Sequence, residues 1–368
     1  MNFEEITDFG NLLQTAEKCC NGGRWKPSVQ MFEVNILQWV ASKKKELENG
    51  SYRPRTTRPF QITERGKIRL IRAHHICDRM VYKSFVKYEL SPATETLILS
   101  GNSASQKGKG TDYAINKFKK DLAHAYKVCG GRDFYVYTYD FHNYFGSIPH
   151  KNTYDQIAPR LSDDGSRFLL KQYLNLFEDG IGVGIGGEPS QVIAVVYPSC
   201  LDRMIECDPA IIASGRYMDD GYFIAKRKND IKNLVKRFEF GCKKKGLEIN
   251  PKHTKLHWME KDSITFLKKR TFITETGKIV MRLTRENVTM ELHRLDQQKK
   301  AYDRKLIPMK AIEMSFQCWC SYAIKYNSYH SMITVTRRYC DRFNVSWEEA
   351  RALWKKKSHK SLRGCKKN

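Results

Sequence analysis

Apolar residues recur along this chain with a helical period over most of its length and with strict alternation at a few short places, which predicts a mixed helical and β protein. Residues 1–50 read as helices, with Phe32, Val34, Ile36, Leu37 and Val40 as an amphipathic stripe ahead of the basic run Lys43 to Lys45. Pro54 and Pro59 then break helicity. Phe60-Gln61-Ile62-Thr63 and Lys67 to Arg72 flank Arg65-Gly66, which predicts a hairpin with a strongly basic second strand. A helix is expected around Asp78 to Tyr88. Residues 101–111 form a glycine- and lysine-rich loop that opens another helix. It lacks the GxxxxGK[ST] order, so a contact to a phosphate backbone is the economical reading.

Tyr135-Val136-Tyr137-Thr138-Tyr139 alternates and leads into Asp140, as a strand ending in a carboxylate would. Helical stretches over about 151–178 and 190–206 bracket a glycine cluster, Gly180 to Gly187. Tyr217-Met218-Asp219-Asp220 follows, two adjacent carboxylates flanked by apolar and aromatic residues, read as a β-hairpin turn. Asp230 to Lys245 is an amphipathic basic helix ending at Gly246, strand-like pieces follow at 253–258 and 264–273, and 285–345 is helical and basic. Alone, the paired aspartates fit an ordinary solvated turn. With Asp140 about 80 residues earlier, three carboxylates can hold two divalent cations that activate a 3′-hydroxyl and neutralise a triphosphate.

Composition narrows the partners. The 368 residues suffice for two or three subdomains, and 41% hydrophobic content implies a globular chain. Lys and Arg outnumber Asp and Glu by 65 to 40, a formal charge of +25, which favours a polyanionic partner such as nucleic acid. Lys355 to Asn368 holds seven of those cations and no acid, and removing them still leaves +18 on the body. The eleven cysteines show no CxxC pair; Cys19-Cys20 and Cys318-x-Cys320 read as buried thiols, and a reduced, cytoplasmic setting follows. No apolar run resembles a signal peptide or is long enough to span a membrane.

In this order the motifs resemble those of a bacterial reverse transcriptase over roughly residues 50 to 345, of the group associated with phage defence and diversity-generating retroelements. The resemblance implies an α+β right-hand polymerase with fingers, an antiparallel-sheet palm and a helical thumb. By that likeness residues 1–50 are an N-terminal helical extension and 51–138 the fingers. The palm is 139–280, with an interleaved fingers segment at about 151–184; the thumb is 285–345, and 346–368 a basic tail.

The resemblance also implies roles. Asp140, Asp219 and Asp220 match the catalytic carboxylates, Asp140 and Asp219 ligating two Mg2+ ions and Asp220 adjusting charge and geometry beside them. Lys67 and Arg69 match the strand that holds the incoming triphosphate, and their spacing puts both on one strand face. Phe145, five residues past Asp140, matches the aromatic that closes on the sugar's 2′ position and excludes ribonucleotides. Ile185 to Gln191 resembles the loop-to-helix segment under the incoming base pair. Ile185 replaces the glutamine of many retroviral-type enzymes, and Gln191 their proline. Lys252, with His253 and Lys255 as alternatives in an uncertain register, matches the group that protonates pyrophosphate. Leu267, Lys268 and Lys269 match the hairpin that grips primer and template. The expected partners are a non-coding RNA template, dNTPs and the DNA product, with an accessory protein or a homo-oligomer left open. The implied function is copying of a dedicated RNA into DNA in antiphage defence. Two alternatives stand beside it: mutagenic copying in a diversity-generating retroelement, and an RNA-binding scaffold or maturase without polymerisation.

Overall fold

A computed structural model describes residues 3–64 and 67–354, the side chains of Glu64 and Lys67 excepted. The expected turn at Arg65-Gly66 and the basic tail beyond Trp354 lie outside the described residues. The class is α+β, with helices and three antiparallel sheets. Two compact units are formed by the described residues of Met1–Cys129 with Phe134–Leu256, and of Gly130–Asp133 with His257–Asn368. Among the described residues no helix is long and apolar enough to cross a membrane.

The first unit is built on a sheet in the order β4-β5-β3: β3 is Tyr135–Asp140, β4 Ile211–Tyr217 and β5 Asp220–Ala225. Alternation sorts the side chains of β3 onto two covered faces. On one face Tyr139 and Phe223 pack on Phe238, Tyr139 at 4.7 Å between ring centroids. Phe238 belongs to helix Lys228–Lys244, whose buried Ile231, Leu234, Phe238 and Cys242 follow the helical period. The other face carries Tyr222, which meets Phe118 of helix Thr111–Cys129 edge-on at 4.6 Å and donates to Asp121 at 2.5 Å. Among the described residues four helices precede the hairpin of β1, Arg58–Glu64, with β2, Lys67–Ala73, in register from Arg58↔Ala73 to Glu64↔Lys67, and further helices, Ile76–Phe85 among them, lie between that hairpin and β3.

Several expectations are corrected. The stripe of Phe32, Val34, Ile36, Leu37 and Val40 does not share a face, because the chain breaks at Asn35 into helices Pro27–Val34 and Ile36–Glu48. Phe32 and Val40 are buried, while Val34 is 81% and Leu37 57% exposed. The helix expected over 190–206 is two, Glu188–Val196 and Ser199–Glu206, because Pro198 lacks the N–H that would continue the ladder. Of the four cysteines read as buried thiols, Cys318 is exposed.

The second unit contains a sheet of β7, Ile264–Phe266, β8, Lys269–Ile273, and β9, Ile279–Leu283, the last not expected from sequence. (β6 is the short strand Lys255–Trp258.) Helices Arg285–Asp303, Met309–Ala323, Tyr329–Phe343 and Trp347–Ala352 follow. Their aromatics form a small core, as helical spacing suggests: Phe316 lies parallel on Tyr339 at 4.2 Å. Tyr329 is an exception and is exposed.

Candidate active site

The two-residue turn Met218-Asp219 closes β4 onto β5 through the pair Tyr217↔Asp220. Met218 takes the left-handed conformation at φ 55°, which a residue with a side chain adopts only where its surroundings enforce it. The enforcement lies beneath the turn. Arg216 is 3% exposed, and it grips Asp202 with Nε at 2.8 Å from Oδ1 and Nη2 at 2.6 Å from Oδ2. Its Nη1 donates to the Met218 carbonyl at 2.9 Å and Nη2 to the Val195 carbonyl at 2.7 Å. Burial opposes the Arg216 charge, but the Asp202 carboxylate outweighs it and holds the guanidinium pKa above its ordinary value.

The backbone of Arg216 is also bracketed. Its N–H donates to the Gly101 carbonyl and its carbonyl accepts from Ser103 N–H, both at 3.0 Å. Asn102, Ser103 and Ala104 are buried. So the first part of the loop read as a phosphate contact is instead a strut against β4, and only its later residues include exposed positions.

Asp140 ends β3 directly opposite Asp220, so the two side chains emerge on the same face of the sheet. The chain then turns so that Phe141 N–H donates to the Asp219 carbonyl at 3.3 Å. Asn250 supports Asp140 twice: its N–H donates to the Asp140 carbonyl at 2.8 Å, and Nδ2 donates to Oδ2 at 3.0 Å. Asn250 was not foreseen from sequence. It orients one carboxylate oxygen and leaves the other open, so Asn250→Ala is expected to lower any activity of this site about 10- to 100-fold, with little loss of thermal stability. Steady-state rates alongside a melting curve check this.

Asp140 and Asp219 line one cleft of about 700 Å³, together with Asn250, Phe145, Arg69 and Arg72. Asp220 is not part of that lining. Phe145 is half-buried, edge-on to Tyr144 at 5.8 Å, and its carbonyl accepts from Val183 N–H at 2.8 Å. Ile185 also lines the cleft and is stitched to β2, its carbonyl accepting from Arg72 N–H at 2.9 Å. Gly186, at φ 128°, follows where a Cβ would stand 2.9 Å from the Arg72 carbonyl oxygen. Ser190 is buried against Tyr173 Oη at 2.6 Å and bonds the Val183 carbonyl, fixing the loop that carries these residues. Arg72, Glu178 and Asp179 also line the cleft and were not foreseen.

Other predicted residues fall elsewhere. The Lys67 side chain is outside the described residues. Gln191 is exposed and lines a separate cavity of about 250 Å³. Lys252, His253 and Lys255 are exposed, and Lys252 N–H donates to Asn250 Oδ1 at 3.2 Å. Leu267 and Lys268 belong to the second unit and form the β7–β8 turn, both left-handed at φ 46° and 61°. Lys269 is 2% exposed, its ammonium bonded to Tyr322 Oη and lying over the rings of Tyr322 and Tyr326 at 4.5 and 4.8 Å. That burial removes it from the surface a primer or template would touch, and leaves Lys268 as the exposed cation of the turn.

Among the described residues no three His, Cys, Asp or Glu side chains stand together as a preformed metal cage. The donor set is nonetheless the kind that suits Mg2+, which keeps several waters and binds through one or two carboxylates completed by substrate phosphates. Asp140 and Asp219 could supply such carboxylates, and they share the cleft with the guanidinium groups of Arg69 and Arg72.

No protein-family model matches the chain, and no curated protein matches it. Among solved structures it is similar to the apo telomerase of Candida tropicalis truncated from the C-terminal domain, at 15% identity and a TM-score of 0.45. The match covers 61% of this chain and 54% of that one, so the chain spans about half the length of that structure.

Proposed function

We propose that this chain is an RNA-directed DNA polymerase of right-hand layout, with fingers at 51–138, palm at 139–280 and thumb at 285–345. The observation that carries this reading is the meeting of Asp140 and Asp219 in one cleft with Arg69, Arg72 and Phe145. Two Mg2+ ions, when bound, would polarise the primer hydroxyl and neutralise charge on the reacting phosphate. Asp140 and Asp219 would hold them, Asn250 fixes the orientation of Asp140, and Asp220 would adjust the local charge. Arg69 and Arg72 bind the nucleotide's triphosphate, and the catalytic gain is mainly positioning and electrostatic stabilisation. The surplus of +25 supports an RNA partner held through its phosphates. A dedicated non-coding RNA as template, and a role in antiphage defence, rest on the sequence resemblance alone; neighbouring genes distinguish that role from a diversity-generating retroelement.

The sugar-selecting part of the proposal has its own test. Phe145 stands on the wall of the cleft, where a ring and a ribose 2′-hydroxyl compete for one volume. Phe145→Ala is expected to raise ribonucleotide incorporation relative to deoxyribonucleotide by about 10- to 100-fold, the range set by steric exclusion of a small group. Competition between labelled GTP and dGTP on a primed RNA reads the ratio. An unchanged ratio removes Phe145 from sugar selection.

A further inference from the structure

A second cavity of about 700 Å³ in the first unit lies between the turn after helix Phe9–Cys20 and the junction of β2 with helix Ile76–Phe85. Lys26, Arg55, Arg58 and Arg79 line it, and among the described residues no Asp or Glu does. Arg55 is held in place, with Nη1 3.0 Å from His75 Nε2 and the guanidinium over the Trp39 ring at 5.3 Å. Helix Ile76–Phe85 begins at the cavity wall with Ile76, and its first turn carries the buried Asp78, whose Oδ2 accepts from Arg55 N–H at 3.2 Å and steadies that residue's backbone.

His74 sits between this cavity and the smaller one that holds Gly186, Gly187 and Gln191, and lines both, as Arg79 does. It is only 8% exposed, and among the described residues neither ring nitrogen has a hydrogen-bond partner. Stacking on Tyr173 at 5.6 Å and edge contact with Tyr82 at 5.3 Å fix the ring. Burial, with Arg79 nearby, pushes its pKa down to about 4, so the imidazole is neutral and offers one donor and one acceptor. Leaving both unpaired in the interior is unfavourable, and a ligand that pairs one recovers that loss.

We propose that this cavity binds the terminal phosphate of a nucleotide unit, either a free nucleotide or the end of a nucleic-acid strand. Lys26, Arg55, Arg58 and Arg79 supply the charge and His74 a hydrogen bond. The volume suits one nucleotide, and a lining with four cations and no acid suits the dianion of a phosphate monoester better than the single charge of an internal phosphodiester. None of these five residues lines the Asp140 cleft, so the inference stands apart from the polymerase reading.

The test uses the full chain with magnesium chelated, and the anisotropy of a short 3′-labelled single-stranded RNA carrying either a 5′-phosphate or a 5′-hydroxyl. The phosphorylated RNA is expected to bind about tenfold more tightly. That preference should vanish in the Arg58→Gln, Arg79→Gln double variant and shrink in His74→Phe, which keeps the stacking. Lys26→Gln, on an exposed turn, serves if the double variant fails to fold. Displacement of the phosphorylated RNA by AMP, lost in the double variant, identifies a free nucleotide as ligand. A 5′-phosphate preference with no displacement by AMP identifies a strand end. Equal binding of both RNAs by the folded wild-type chain, or AMP displacement that persists in the double variant, overturns the proposal.

Discussion

Replacing Asp219 with alanine is expected to cut DNA synthesis by about a thousandfold or more, while RNA affinity stays nearly unchanged. The loss corresponds to roughly 4 kcal/mol of transition-state stabilisation, within reach of one group acting on the reacting phosphate. Asp219 is placed for this by three features: the left-handed Met218 before it, the Phe141 N–H on its carbonyl, and Asp140 on the wall of the same cleft. RNA affinity should persist because binding to a phosphate backbone comes from the distributed Lys and Arg surplus. Folding should not suffer, because removing one of three neighbouring carboxylates relieves like-charge repulsion. Primer extension and RNA anisotropy on the same preparation separate the two effects. Unchanged product yield in Asp219→Ala would remove the catalytic assignment.

The second large effect is on stability. Arg216→Met is expected to cost about 3–5 kcal/mol, because it leaves Asp202 partly buried with its charge uncompensated. The Met218 carbonyl and the Val195 carbonyl lose their donors as well. For a unit of this size the melting temperature should fall on the order of 10 °C. Adding Asp202→Leu to Arg216→Met should recover much of the loss, since an ion pair replaced on both sides by apolar groups is often close to neutral. Synthesis should recover less than stability, because the support of the Met218-Asp219 turn is still missing. A double variant no more stable than Arg216→Met would mean that the contacts to the turn, and not the ion pair, dominate.

The parts of the site that were legible in the sequence are those written in local pattern. Tyr135 to Tyr139 alternates and stops at a carboxylate, and the paired aspartates sit between two apolar strands, so β3 and the β4–β5 hairpin could be placed from spacing. Register then decides what meets Asp140, and register is a long-range property. Asn250 follows a strand-like Leu247-Glu248-Ile249 and precedes Pro251, so by itself it reads as a turn residue; only the pairing of Phe141 with Ile249 brings it to Asp140. Arg216 looks like a solvated charge on a strand until Asp202, from helix Ser199–Glu206, is laid beside it. Lys269 lies in the basic run Lys268 to Arg270, which masks the burial that Tyr322 and Tyr326 impose on it. β9 escaped notice because Ile279–Leu283 is five residues long and carries Arg282 on its exposed side.

The activity proposed for this cleft is the copying of RNA into DNA. Its most direct test supplies the purified full chain with a defined RNA annealed to a DNA primer, magnesium and all four dNTPs, and sequences whatever extends the primer. DNA complementary to the RNA is expected, and none when Asp219 is alanine. Homopolymer or product unrelated to the template would contradict RNA-directed synthesis, and no extension by a folded, RNA-bound chain would favour the scaffold reading.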